Sequence, residues 1–384
     1  MIYLDNNATT KIDPRVLEAM MPFLTEEYGN AASNHEFGIR IKQKVKEARA
    51  QVASLIDSDP HEVIFTSGAT EAINLALKGI ISHNPEKNHI ITLKSEHKAV
   101  LDVCDFLEHK GCSISYLSVD EEGLINLNEL QEALNEKTAL VCVMLANNET
   151  GVIQPLKQIA ELAHQNGSFM MTDATQAVGK IPVNVNELDI DLLTFSGHKL
   201  YGPKGIGGLY IRSKRPNRVK LEAIIHGGGH ERTLRSGTLN IPGIIGIGKA
   251  AELAQNEMAP DAQRIKMLRD KLEEELLLIP NSFVNGSKEQ RIYNTCNICF
   301  EGADADAVMV GLKDIMISNG SACTSTEVKP SHVLSAMGRI EDHAYSSLRI
   351  SLGRFNGKED IDATINKLKN IVFDLRKMSS HLKV

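Results

Sequence analysis

The run DLLTFSGHKLYGPKGIGGLY, Asp191 to Tyr210, decides the fold: an apolar strand-like stretch ends in small residues, a His-Lys pair and a glycine-rich continuation. A lysine at the end of a buried strand stands on stiff backbone and loses part of its hydration. Its neutral amine becomes accessible, which equips Lys199 to form a Schiff base with an aldehyde. A lysine before an ordinary surface turn has the same local spelling, so the reading depends on what surrounds it.

Outward from this run, strand-like and helical stretches alternate. Ile41, Val45, Ala48, Val52 and Leu55 recur at helical spacing, and EVIFTS follows as a strand. Then come a helix over Glu71 to Ile81, the strand HIITLKS, a helix over Lys98 to Lys110 and the strands ISYLSVD and TALVCVMLAN. A helix over Leu156 to Gln165 and the strand SFMMTDA lead into IDLLTFS. The alternation predicts an α/β fold with a mostly parallel sheet covered on both faces. From Ile241 the pattern becomes a long helix with Ile265, Leu268, Leu272 and Leu276 on one stripe, stopped by Pro280. NTCNICF, MISNG and LRISLG then read as strands of a smaller α+β lobe. A chain of 384 residues exceeds what one core usually supports. The expected division is a large domain over 15–257 and a small one formed by 1–14 and 258–384.

Hydrophobic residues make up 42% and charged residues 24%, the composition of a folded enzyme rather than a disordered chain. A net charge of −7 with no basic run argues against nucleic acid as a partner. The start MIYLDNNATT has neither a charged leader nor an apolar signal core, and no stretch approaches the roughly 20 apolar residues that span a bilayer. A cytoplasmic protein with no membrane partner is expected. The six cysteines are scattered too widely for a disulfide framework. Cys296 and Cys299 spell CxxC, but three positions apart on a strand they face opposite sides, so no metal site is expected there.

Five polar clusters each follow a predicted strand: Ser67 to Thr70, Glu96 with His97, Asn147 to Glu149, Asp173 to Gln176, and Ser196 to Lys199. Ligands of open parallel sheets bind outside the carboxyl ends of the strands, so one crevice should collect all five. TSGATE joins a strand to a helix and suits a phosphate at the helix N-terminus, although a plain N-cap has the same form. Asp173, ending FMMTD, needs a partner to offset its burial. A pyridinium N–H would serve, and so would an arginine.

The runs YLDNNATT, TSGATEAINLALKG, EHKAV, NNETGVIQP, TDATQAVGK, SGHKLYGPKGIGGLY, HGGGHERTLRSGT and NGSACTS, in that order, resemble those of the pyridoxal-phosphate cysteine desulfurases of the housekeeping and nitrogen-fixation type. The resemblance implies the class V, aspartate aminotransferase-like fold with pyridoxal 5'-phosphate as cofactor. By similarity Lys199 carries the cofactor and moves the Cα proton, Asp173 pairs with the pyridine nitrogen, and His97 stacks on the ring and shuttles protons. Gln176 and Asn148 face the cofactor hydroxyl, Asn148 also lying near the substrate carboxylate. Ala69, Thr70, Ser196 and His198 contact the phosphate. Thr238 resembles a phosphate contact from a second copy, which implies a homodimer. Arg349 resembles the arginine that clamps the substrate carboxylate, with Arg354 the alternative. Cys323, in the Gly, Ser and Thr rich SNGSACTSTEVKPS, corresponds to the thiol that takes sulfur from L-cysteine, leaving L-alanine, and hands it to an acceptor protein for iron–sulfur cluster assembly or thiolation.

Two departures stand out. The family run GNPSSxHxxG appears as GNAASNHEFG, with Ala31 in place of proline and Ala32 in place of serine, which puts the rigidity of that loop in question. The chain also stops at DLRKMSSHLKV, whereas some relatives carry a longer tail that docks a scaffold protein. Selenocysteine lyase, an aminotransferase of the same fold and a sulfur-relay protein without turnover are the competing readings.

Overall fold

The structure, a computed structural model, describes residues 1–214, 216–320 and 330–381. Its strands are β1 (Ile2–Tyr3), β2 (Val63–Thr66), β3 (His89–Leu93), β4 (Ser113–Leu117), β5 (Thr138–Cys142) and β6 (Phe169–Asp173). They continue with β7 (Leu192–Ser196), β8 (Gly207–Ile211), β9 (Ser282–Val284), β10 (Thr295–Phe300), β11 (Ile315–Met316) and β12 (Ser347–Ser351). Seven of them form one sheet in the order β2-β8-β7-β6-β5-β3-β4; β12-β10-β9 form a second and β1-β11 a third. Helices Glu36–Leu55, Ala69–His83, Lys98–Glu108 and Leu156–Gln165 pack around the large sheet. Every residue of β2, β3, β5 and β7 is buried, as strands covered on both faces must be.

The sheet is mostly parallel, with β8 antiparallel to both β2 and β7. Residues 197–206 between β7 and β8 are fewer than the roughly dozen a parallel crossover needs, so the chain turns back on itself. The glycines of GIGG serve this reversal. A β-carbon at Gly208 would lie 2.4 Å from Phe195 Cζ, and one at Gly207 2.7 Å from Gly68 Cα.

Helix Ile241–Leu277 serves two cores. Its first half inserts Ile244, Ile247 and Ala251 beside Val45 and Val52 under the large sheet; its second half inserts Ile265, Leu272 and Leu276 beside Ile298 of β10 and Ile350 of β12. It runs through Pro260, which has no N–H to give the preceding turn, and ends three residues before Pro280. The loop with Ala31 and Ala32 is held without its proline. Asn30 Oδ1 accepts the Ala32 N–H at 2.9 Å, and His35 caps the next helix through Gly38 N at 3.2 Å.

The amino-terminal segment crosses from the small sheet to the large one. Asp5 bridges to Ser351, Thr10 N donates to the His198 carbonyl, and Tyr201 N donates to Thr10 Oγ1. This strap brings Asn7, Ala8 and Thr9 onto the carboxyl edge of the large sheet.

Candidate active site

The carboxyl ends of β2, β3, β5, β6 and β7 open onto one cleft of 730 Å³. Among its lining residues are Ala69, Thr70, His97, Asn148, Asp173, Gln176, Ser196, His198, Lys199 and Arg349. The five clusters that follow separate strands therefore meet, as the switch from strand to loop along one sheet edge requires. Thr238 is exposed and stands outside this cleft. Cys323 lies outside the described residues.

Lys199 ends the short helical turn after β7. Its Nζ donates to the carbonyl oxygens of Asn7 (2.5 Å) and Ala8 (2.6 Å). Burial, reinforced by the positive Arg349, brings the amine down to about 8. Asp173, at the end of β6, accepts from Thr175 N (3.0 Å) and the Thr194 hydroxyl (3.4 Å). Among the described residues it forms no ion pair, so the arginine that would have made it a purely structural acid is not there. His97 caps helix Lys98–Glu108 through Nδ1, which accepts the Ala99 N–H at 3.0 Å. Its neutral form thus carries the proton on Nε2. Although His97 is exposed at the cleft mouth, desolvation by the surrounding protein, with Lys199 and Arg349 adding to it against the opposing pull of Asp173, keeps that ring more acidic than usual.

Helix Ala69–His83 points its N-terminus into the cleft, where its first N–H groups have no partner within the helix. Glu71 takes the Ser67 N–H and is itself held by Arg235 Nε at 2.8 Å, so its charge is neutralised beside the anion site. Burial and the neighbouring Lys199 lower His198 to about 4, and its Nδ1 lies 3.0 Å from Thr9 Oγ1.

Arg349, in β12, donates from Nη2 to Asp5 Oδ1 (2.7 Å) and from Nη1 to the Asn148 carbonyl (3.1 Å), while its buried Nε has no partner. Arg354 faces elsewhere, bound to Asp13 and Asp261 at 2.8 Å each. The Asn148 Oδ1 and Thr175 Oγ1 atoms are likewise buried without partners. Buried polar atoms of this kind ask for a ligand. A cofactor with a phosphate, a protonated ring nitrogen, a ring hydroxyl and an aldehyde matches the donors, the acid, the amides and the amine that converge here.

Residue-by-residue reading missed the strap residues Asp5, Asn7, Ala8 and Thr9, together with Lys204 and Ser318 in the cleft wall. Two acids of the polar clusters, Glu96 and Glu149, are buried. Burial drives Glu149 up to about 7 despite its bond to Ser331 Oγ, and it raises Glu96, whose Oε1 accepts Met144 N at 2.6 Å. The run YLDNNATT was a signal, since five polar residues, Asp5, Asn6, Asn7, Thr9 and Thr10, crowded after an apolar pair have no local purpose.

An α/β sheet whose carboxyl edge gathers a softened lysine, a buried acid and a helix N-terminus defines a pyridoxal-phosphate enzyme. The chain matches Aminotransferase class-V over residues 2–364, and it belongs to that family. It is 48% identical over 382 residues to the cysteine desulfurase IscS of Pectobacterium carotovorum subsp. carotovorum (strain PC1), covering 98% of this chain and 94% of that one. A NifS-like protein superposes with a TM-score of 0.90 at 38% identity, over 97% of this chain and 99% of that one. SspA in complex with cysteine superposes at 0.83 and 36% identity, over 93% and 100%.

Proposed function

We propose that this protein is a pyridoxal-phosphate-dependent cysteine desulfurase that converts L-cysteine to L-alanine and passes the sulfur, through Cys323, to an acceptor protein. The observation that carries the reading is Lys199: an amine brought down to about 8 at the foot of a cleft that also holds Asp173, in a chain 48% identical to a cysteine desulfurase.

When bound, pyridoxal phosphate supplies an electron-withdrawing ring that acidifies the amino acid's Cα–H and loosens its bond to sulfur. The N-terminus of helix Ala69–His83, with Thr70, Ser196 and His198, is suited to bind the phosphate, and Asp173 to hold a proton on the ring nitrogen. Asn148 and Gln176 offer amides to the ring hydroxyl. Arg349 orients the substrate carboxylate, its orphan Nε being a donor in reserve. Lys199 Nζ takes the Cα proton, and His97 Nε2 is placed to carry a second one. Cys323 Sγ, as thiolate, attacks the substrate sulfur. An S–S bond forms, the C–S bond breaks with its electron pair left on carbon, and that carbon is protonated on the way to alanine.

Thr238, exposed in one copy, is assigned to the phosphate site of a second copy, which makes the working unit a homodimer. Among the described residues no helix is long and apolar enough to cross a membrane, and a cytoplasmic location fits that. An iron–sulfur scaffold is the acceptor class proposed.

Purified protein incubated with pyridoxal phosphate, L-cysteine and a thiol reductant is expected to release alanine and sulfide in equal amounts. A keto acid in place of alanine would mark an aminotransferase, and turnover restricted to selenocysteine would mark the lyase.

A further inference from the structure

Lys180 closes TDATQAVGK, four residues after Gln176, and is only 3% exposed. Among the described residues it forms no ion pair. A lysine buried without a carboxylate is costly, and burial pushes its amine well below the usual range, with Lys199 and Arg349 adding to the effect. Nothing about packing requires this, since methionine would fill the same volume.

What the amine does is donate. Its Nζ gives a hydrogen bond to Gln176 Oε1 at 2.7 Å and a longer one to Asn7 Oδ1 at 3.4 Å. The Asn7 carbonyl oxygen accepts Gln176 Nε2 at 2.9 Å and also Lys199 Nζ at 2.5 Å. A carbonyl can only accept, so Gln176 must turn its NH2 toward Asn7 and its oxygen the other way, where it is buried and needs a donor. Lys180 is that donor. Asn7 does not depend on Lys180 in the same way, because Asn294 Nδ2 also reaches its Oδ1 (3.2 Å) and its Nδ2 bonds Thr295 Oγ1 (2.8 Å).

We propose that Lys180 is a positioning residue for the reaction: it fixes the Gln176 amide so that Gln176 offers an N–H, and not an oxygen, to the ring hydroxyl of the cofactor. The proposal rests on the cofactor reading above and extends it to a residue outside the cleft. Without the lysine, Gln176 Oε1 is left buried and unsatisfied, and the Asn7 carbonyl alone holds the amide, so its N–H loses its fixed aim at the ring oxygen. A donor on the ring oxygen favours the deprotonated Lys199–cofactor linkage, so losing it raises the pH at which that linkage titrates.

The test is a spectroscopic pH titration of the holoenzyme. Lys180→Met is expected to raise the midpoint by about one pH unit, the worth of one hydrogen bond to a charged group. Gln176→Leu should give the same shift, Lys180→Arg should restore the original midpoint, and the double variant Lys180→Met with Gln176→Leu should shift no further than either single change. Lys180→Leu supplies the same readout if the methionine variant does not fold. An unchanged midpoint in Lys180→Met, or shifts that add in the double variant, would overturn the positioning role. A parent protein with no titrating absorbance would overturn the cofactor reading instead.

Discussion

Two charge clusters lie on either side of the segment His198 to Tyr201, and they are built on opposite terms. Around Arg354 every charge is answered: Asp13 and Asp261 at 2.8 Å, with Arg15 bonding Asp13 at 2.8 Å and Glu257 at 2.5 Å. Bonds to Arg15 hold the Asp13 carboxyl well below the usual range, and burial, which opposes Arg354's charge, is outweighed only by its bonds to Asp261 and Asp13 and the charges of Asp261 and Glu257 together. Around Lys199 only Arg349 has a carboxylate, Asp5, and among the described residues the two amines form no ion pair: Lys180 and Lys199 donate to amide and backbone oxygens. Compensated charge locks the strap, the end of β12 and the long helix together, and uncompensated charge keeps an amine reactive. The same residue types serve structure in one place and chemistry a few residues away.

The contrast can be broken from the chemical side first. Cys323→Ala and Lys199→Ala are each expected to lower alanine formation by about 10³-fold or more, the scale of losing a nucleophile or a general base. They differ in colour: Cys323→Ala keeps the yellow absorbance of the bound cofactor, and Lys199→Ala loses it. Normal turnover by Cys323→Ala would remove the proposed sulfur acceptor.

The capture of pyridoxal phosphate by apo-protein gives the next effect. With Lys199 at about 8, its neutral fraction falls close to tenfold for each pH unit below that value. Stopped-flow binding should therefore slow toward acid and level off above about pH 8. A rate still climbing at pH 10 would mean an ordinary lysine.

Arg354→Ala should act on stability and spare chemistry. It leaves Asp13 and Asp261 short of a partner, at a cost of about 3 kcal/mol, with KM for cysteine little changed. The smallest effect concerns its pH dependence. Asp13 is depressed in the folded state, so its contribution is full above the ordinary carboxylate pKa of about 4 and fades as pH falls below it. The melting-temperature gap between the parent protein and Arg354→Ala should be constant from neutral to mildly acidic pH and narrow below about pH 4. A gap that widens in acid would place the stabilisation elsewhere.

Much of this architecture was legible in the chain. Apolar runs such as HIITL and LLTFS are strands because they are buried on both faces, and the polar residues that end them meet because strand ends share an edge. The reversal at β8 was not legible, since GIGGLYI reads as a strand without stating its direction. Nor was the strap: the pairing of Asn7 with Lys199 spans most of the large domain, and only tertiary contact reveals it. Lys180 escaped because a lysine four residues past a glutamine looks like surface. The run TALVCVMLAN was expected as one strand, but the regular strand ends at Cys142, and beyond it Val143 and Leu145 only continue bonding to β6. Arg349 and Arg354 could be weighed from motif alone, and their partners now separate them.

The most direct test of the central claim is borohydride reduction of the holoenzyme followed by peptide mapping. A single pyridoxyl adduct, on Lys199, in the peptide carrying SGHKLYGPK is expected. An adduct on Lys180 or Lys204, with Lys199 unmodified, would contradict it.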